Sequence, residues 1–220
     1  HIKICGIRSL RDAEYAVAAG ADAIGLNFYQ QSSRFVTGDE AAVIAERIRF
    51  ASPSVKIVGV FVNAVLADVR SVLDKVPLTT VQLHGDETPA DVRAMGEFLA
   101  PRNIGLIRAF RCRDAHLDSI SQYLSECRTA DTWPPDAVLL DAFQPGTYGG
   151  TGAVLDWETV HRERHQLHGK PLVLAGGLNP TNVADAIRVA RPDGVDVASG
   201  VEISPGIKDP EKVAAFIKAL

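Results

Sequence analysis

Pro171-Leu172-Val173-Leu174-Ala175-Gly176-Gly177-Leu178-Asn179-Pro180 sets a short apolar run against paired glycines. Gly194-Val195-Asp196-Val197-Ala198-Ser199-Gly200 repeats the arrangement after a stretch with helical spacing that begins near Asn182. An apolar run this short, closed by glycine, predicts a buried strand ending in a tight turn. A helix between two such strands predicts that they lie parallel.

Working outward, the same unit recurs. Strands are predicted at Ile2 to Cys5, Ala23 to Phe28, Lys56 to Phe61, Thr80 to Leu83, Gly105 to Phe110, Ala137 to Ala142, Pro171 to Ala175 and Gly194 to Ala198. Helical stretches follow them, beginning near Ser9, Gly38, Leu66, Thr88, His116, Trp157, Asn182 and Asp209. Thr88-Pro89 and Asp209-Pro210 each place a capping side chain before a proline suited to the first helical turn. An open doubly wound sheet is the competing architecture. Eight units of this size, with no dinucleotide-binding fingerprint after the first strand, predict closure into a single (β/α)8 barrel, the TIM-barrel fold. One domain spanning 1–220 is expected.

The chain has 220 residues, 46% hydrophobic and 23% charged, enough to bury a sizeable core. Its net charge of -4 gives no electrostatic reason to expect nucleic acid as a partner. Cys5, Cys112 and Cys127 are odd in number and lack C-x-x-C spacing, which argues against a disulfide framework or a thiolate metal site. No apolar run is long enough to span a bilayer and no leader is legible. The expectation is a cytoplasmic protein with no membrane partner, no metal, and a small phosphorylated molecule as its partner. A monomer and a homodimer both remain open.

In such a barrel the carboxyl ends of the strands form the functional rim, so the residues that close each strand are the candidates. Gly176-Gly177 and Ser199-Gly200 follow the seventh and eighth strands, the recurrent phosphate position, where glycine lets backbone amides approach an anion. Each loop read alone is equally a tight turn. Cys5 ends the first strand as either a reactive rim thiol or an inert core residue. Asp141 closes the otherwise apolar run Val138-Leu139-Leu140, where a carboxyl needs a role or a partner. Arg34, after the second strand, either presents its planar fork to a carboxylate or lies solvated on the surface. His84 is open between ligand contact, general acid and structural histidine. Cys112 is placed just beyond the fifth strand, Cys127 in a helical segment. Asp196 points into the barrel and requires a hydrogen-bond partner. Tyr148-Gly149-Gly150-Thr151-Gly152 is glycine-rich without the spacing or lysine of a P-loop.

With these positions in place, the chain resembles the phosphoribosylanthranilate isomerases of tryptophan biosynthesis along essentially its whole length. The resemblance rests on an ordered set of motifs. They are Lys3-Ile4-Cys5-Gly6-Ile7, Gly20-Ala21-Asp22-Ala23-Ile24-Gly25, Gly59-Val60-Phe61-Val62-Asn63, Gln82-Leu83-His84-Gly85, Leu140-Asp141-Ala142, Gly149-Gly150-Thr151-Gly152, Leu174-Ala175-Gly176-Gly177-Leu178, and Gly194-Val195-Asp196-Val197 through Pro205-Gly206-Ile207-Lys208-Asp209. Arg8 and Ala153-Val154 depart from the pattern, where a hydroxyl residue and a lysine respectively are common.

The resemblance implies that Cys5 is the general base, Asp141 the general acid and Arg34 the holder of the anthranilate carboxylate. It implies phosphate at Gly176, Gly177, Ser199 and Gly200, and an Amadori rearrangement needing no redox cofactor. Ring order agrees, because the seventh and eighth strands lie between the sixth and the first, so a phosphate there places the ribose between Asp141 and Cys5. The histidine-pathway isomerase of the same chemistry resembles a two-aspartate site, against which Cys5 argues. A barrel that binds a phosphometabolite without catalysis is the alternative from another class.

Overall fold

Local signals place the helices. In the computed structural model, which describes residues 1–112, 116–129, 131–132, 134–142 and 155–220, Ser9 caps α1 (Leu10–Ala19) by accepting from the Asp12 amide at 3.1 Å. Gly20 ends that helix in the left-handed region, with φ of 110°. Thr37 with Glu40 and Thr88 with Asp91 form reciprocal capping boxes on α2 (Gly38–Ala51) and α4 (Pro89–Leu99). Asp156 and Asp209 cap α6 (Trp157–Glu163) and α8 (Pro210–Lys218). The remaining helices are α3 (Leu66–Leu73), α5 (Asp118–Glu126) and α7 (Val183–Ala190). The fifth helix, expected near His116, begins at Asp118. Glu163 of α6 takes the Leu117 amide and pairs with the His116 ring, both at 2.9 Å, and holds that stretch outside the helix.

Eight parallel strands close a barrel in sequence order: β1 (Ile2–Cys5), β2 (Ala23–Asn27), β3 (Lys56–Phe61), β4 (Thr80–Leu83), β5 (Gly105–Cys112), β6 (Ala137–Ala142), β7 (Leu172–Leu174) and β8 (Gly194–Val197). The seam is the pairing of β8 with β1, in which Lys3 lies opposite Asp196. β5 runs past Phe110, its predicted end, so Cys112 is the last residue of the strand and not a loop residue. The register with β6 continues through Arg111↔Asp141 and Cys112↔Ala142, and the arginine at 111 obscures that continuation in the sequence. A two-stranded antiparallel hairpin of β9 (Glu202–Ser204) and β10 (Ile207–Lys208) follows β8 and was not foreseen. Among the described residues no helix is long and apolar enough to cross a membrane.

Strand parity separates two apolar clusters. Residues such as Ile4, Ile24, Ile57, Val81, Leu140 and Leu174 belong to the cluster that fills the layer between sheet and helices. Ala109, Leu139 and Ala175, with Ile107 and Val173 against them, form a second cluster inside the barrel. The interior also buries Lys3 and Gln82, beside the Asp196 of the seam. Alternation along β1 thus sends Ile4 to the outer core and Lys3 to the interior polar group.

Phe216 on α8 is fully buried, so Phe216→Ala is expected to cost about 3–5 kcal/mol. Thr88→Ala removes one cap and is expected to cost about 1 kcal/mol. Urea unfolding midpoints compare the two, and equal small losses would show that α8 does not close the core.

Candidate active site

The carboxyl ends of the strands enclose a pocket. Cys5, Arg34, His84 and Asp141 line it, and Gly176, Gly177 and Ser199 form the wall that follows β7 and β8. Residues scattered between positions 5 and 199 are thereby brought together. Gly200 sits one step behind the wall. A Cβ there would stand 1.9 Å from the Leu178 carbonyl oxygen, so only glycine lets the two loops approach this closely. The loop Gly149 to Gly152, and Ala153-Val154 after it, lie outside the described residues.

Asp141 is buried near the end of β6, with 4% of its surface exposed. Its Oδ2 lies 3.2 Å from Nε2 of His84, which follows β4. Gly176, with φ of 83°, brings backbone against this carboxyl, and a Cβ there would stand 2.8 Å from Oδ1. Cys5 faces the same space from the end of β1. Burial pushes its thiol up from the ordinary value. The ammonium of Lys3, two residues earlier on the same face, opposes the shift, Asp196 adds to it, and Lys208 opposes it from outside the strand. The net direction is upward, because desolvation of a thiolate outweighs the cations near it.

Arg34 presents its planar fork, but to an internal carboxylate. Nε donates to Glu202 Oε1 at 2.8 Å and Nη2 to Oε2 at 2.7 Å. Glu202 also accepts from Lys208 Nζ at 2.8 Å, and Lys208 in turn donates to the Ala198 carbonyl at 3.0 Å. With two cations on it, the Glu202 carboxyl is held below its ordinary range despite burial. Two of the five N–H donors of Arg34 are used in this way, and the side chain remains on the pocket wall. Glu202 is a residue that sequence reasoning missed. The available signal was an acid inside Val201-Glu202-Ile203 at the foot of a Pro205-Gly206 turn.

The partner that Asp196 requires is Lys3, whose Nζ donates to Asp196 Oδ2 and to Gln82 Oε1, both at 2.9 Å. Sequence reasoning missed Lys3 and Gln82; the available signal was strand parity, which puts Lys3 on the face of Cys5 and Gln82 on that of His84. Among the described residues no group of three His, Cys, Asp or Glu is arranged to hold a metal ion.

Residues 2–219 match the family model described as N-(5'-phosphoribosyl)anthranilate (PRA) isomerase. A relative of that name from Geotalea daltonii is 44% identical over 221 residues, covering 99% of this chain and 94% of its own. The crystal structure of phosphoribosyl anthranilate isomerase from Thermotoga maritima superposes with a TM-score of 0.85 at 36% identity, covering 100% of this chain and 97% of its own. A further structure of such an isomerase, in complex with reduced 1-(o-carboxyphenylamino)-1-deoxyribulose 5-phosphate, gives a TM-score of 0.81 at 36% identity, covering 99% and 96%.

The raised thiol of Cys5 predicts how it reacts. Alkylation by iodoacetamide, followed by peptide mass mapping, is expected to have its pH midpoint above that of the same thiol in the urea-unfolded chain. Lys3→Met, which removes the opposing ammonium, is expected to move the midpoint higher still. A midpoint below the unfolded one would mean that charge, and not burial, dominates at Cys5.

Proposed function

The chain belongs to the N-(5'-phosphoribosyl)anthranilate isomerase family, and from that premise we infer how its own residues carry the reaction of tryptophan biosynthesis that the family is named for. The reaction is the Amadori rearrangement of N-(5'-phosphoribosyl)anthranilate to 1-(2-carboxyphenylamino)-1-deoxyribulose 5-phosphate. The observation that carries the assignment is the convergence of Cys5 and Asp141 on one pocket whose wall between them is made by the loops after β7 and β8.

Phosphate is assigned to that wall, at Gly176, Gly177, Ser199 and Gly200, where backbone amides and a hydroxyl offer donors. The ribose then spans from β6 to β1. Asp141 gives its proton to the furanose ring oxygen as the C1–O bond breaks, and the anthranilate nitrogen lone pair forms the C1=N bond of a protonated Schiff base. The Cys5 thiolate takes the proton from C2. The C2–H electrons become the C1=C2 bond, and the C=N electrons return to nitrogen. The enolamine becomes the ketone as the C2 hydroxyl loses its proton and C1 gains one. Electrons move from C2 to C1 within one molecule, so no redox partner enters the balance.

Electrostatics fit the base. A thiol pushed up by burial ionises less readily, yet its thiolate is the stronger base once formed. Lys3 stabilises that thiolate without competing for C2. Arg34 is assigned to the anthranilate carboxylate, beyond β2 at the far end of an elongated ligand. Glu202 holds the guanidinium plane still, so little rotamer freedom remains to be lost on binding. The whole of 1–220 acts as one domain in this reading, as a monomer or homodimer.

The test removes one proton carrier at a time. Cys5→Ser and Asp141→Asn are each expected to lower kcat by about 100- to 10,000-fold, with KM nearly unchanged because the phosphate and carboxylate contacts remain. Loss of substrate fluorescence measures both. A ring-opened substrate is expected to rescue Asp141→Asn in part and Cys5→Ser not at all, and near-normal turnover by Cys5→Ser would overturn the mechanism. Arg34→Ala, which leaves Glu202 paired with Lys208, is expected to weaken a carboxylate-bearing ligand by about 10- to 150-fold relative to an analogue without the carboxylate. Equal losses on the two would return Arg34 to a structural role.

A further inference from the structure

The buried polar group inside the barrel has a consequence for the acid that the mechanism above does not use. An ammonium only donates, so the atom of Gln82 facing Lys3 at 2.9 Å is its carbonyl oxygen. The other end of the amide, Nε2, lies 3.0 Å from Nδ1 of His84. An amide NH2 also only donates, so Nδ1 is the bare acceptor and the proton of the neutral imidazole is on Nε2. Gln82 is fully buried, and Asp196 holds Lys3 in place from the opposite side at 2.9 Å. Nothing in this arrangement lets the amide turn over. The Nε2 that receives the proton is buried, has no aligned hydrogen-bond partner among the described residues, and stands on the pocket wall 3.2 Å from Asp141 Oδ2.

We propose that Gln82 is a positioning residue of the reaction: clamped by Lys3, it fixes the His84 proton on Nε2 and so keeps a donor, not a lone pair, on the pocket wall beside the carboxyl of Asp141. The inference rests on the assignment of Asp141 as the acid. As Asp141 releases its proton, charge develops on the carboxylate, and the positive N–H end of a ring nitrogen 3.2 Å from Oδ2 stabilises it. With the proton on Nδ1 instead, the Nε2 lone pair would stand beside the developing negative charge and oppose the transfer.

Gln82→Glu tests the idea, because the new carboxylate still accepts from Lys3 but presents an acceptor to Nδ1. Histidine labelled with 15N, with the His84 signals assigned from the spectrum of His84→Gln, reads the ring directly. The intact protein is expected to show the Nε2–H tautomer, and Gln82→Glu a protonated Nδ1. In Gln82→Glu kcat is expected to fall about 10- to 100-fold with KM within about threefold, since each tenfold corresponds to about 1.4 kcal/mol of lost transition-state stabilisation. Gln82→Met, which removes the clamp without a new charge, is expected to show mixed tautomers and an intermediate kcat. It also serves should Gln82→Glu fail to fold. An Nδ1–H tautomer in the intact protein would overturn the proposal, as would an altered tautomer in either variant with kcat unchanged. Asp141→Asn separates the two readings. Normal turnover there removes the acid assignment, whereas a slow Asp141→Asn beside a fully active Gln82→Glu leaves the acid in place and removes only Gln82.

Discussion

One buried cation holds both the barrel and its site in order. Lys3 sits where β8 meets β1, the seam that turns eight strands into a ring, with its ammonium between Asp196 and Gln82. An unpaired ammonium at this depth would cost several kcal/mol, so the pair ties together elements at opposite ends of the sequence. The same charge reaches Cys5 on one side and, through Gln82 and His84, Asp141 on the other. Closure of the fold and placement of Cys5 and Asp141, the two residues assigned as proton carriers, are therefore one structural event.

How far the sequence discloses this depends on whether a feature is written locally or across the ring. β1, β3, β4 and β6 are bounded by changes of hydrophobicity that coincide with the hydrogen-bonded strand, and the caps at Ser9, Thr37, Thr88 and Asp209 lie at the helix starts. Asp141 stands out because a carboxyl at the end of an apolar run contradicts its own burial. The extension of β5 to Cys112 does not stand out. Arg111 breaks the apolar run just past Phe110, and no local pattern shows that its partner is Asp86 on the loop after β4.

The clearest gap between sequence and structure is Glu202. It meets Arg34 across 168 positions, and it can do so only because β9 and β10 fold back after β8. Resemblance identified the arginine, but the acid that orients it emerges only from the closed structure. The same holds for Lys3 with Gln82: alternation along β1 and β4 is a local signal for two inward side chains, but their contact emerges only from the closed structure.

The Arg34–Glu202 pair has a bearing on turnover. A carboxylate assigned to Arg34 enters beside a carboxylate already there, so it gains the guanidinium's attraction less the repulsion of its neighbour. The aromatic carboxylate is the same in substrate and product, and any grip on it tightens both alike. Affinity of that kind deepens the ground state without lowering the barrier. With Arg34 assigned to that carboxylate, sharing the arginine with an internal acid would orient the aromatic end of the ligand while limiting how firmly the finished product is retained.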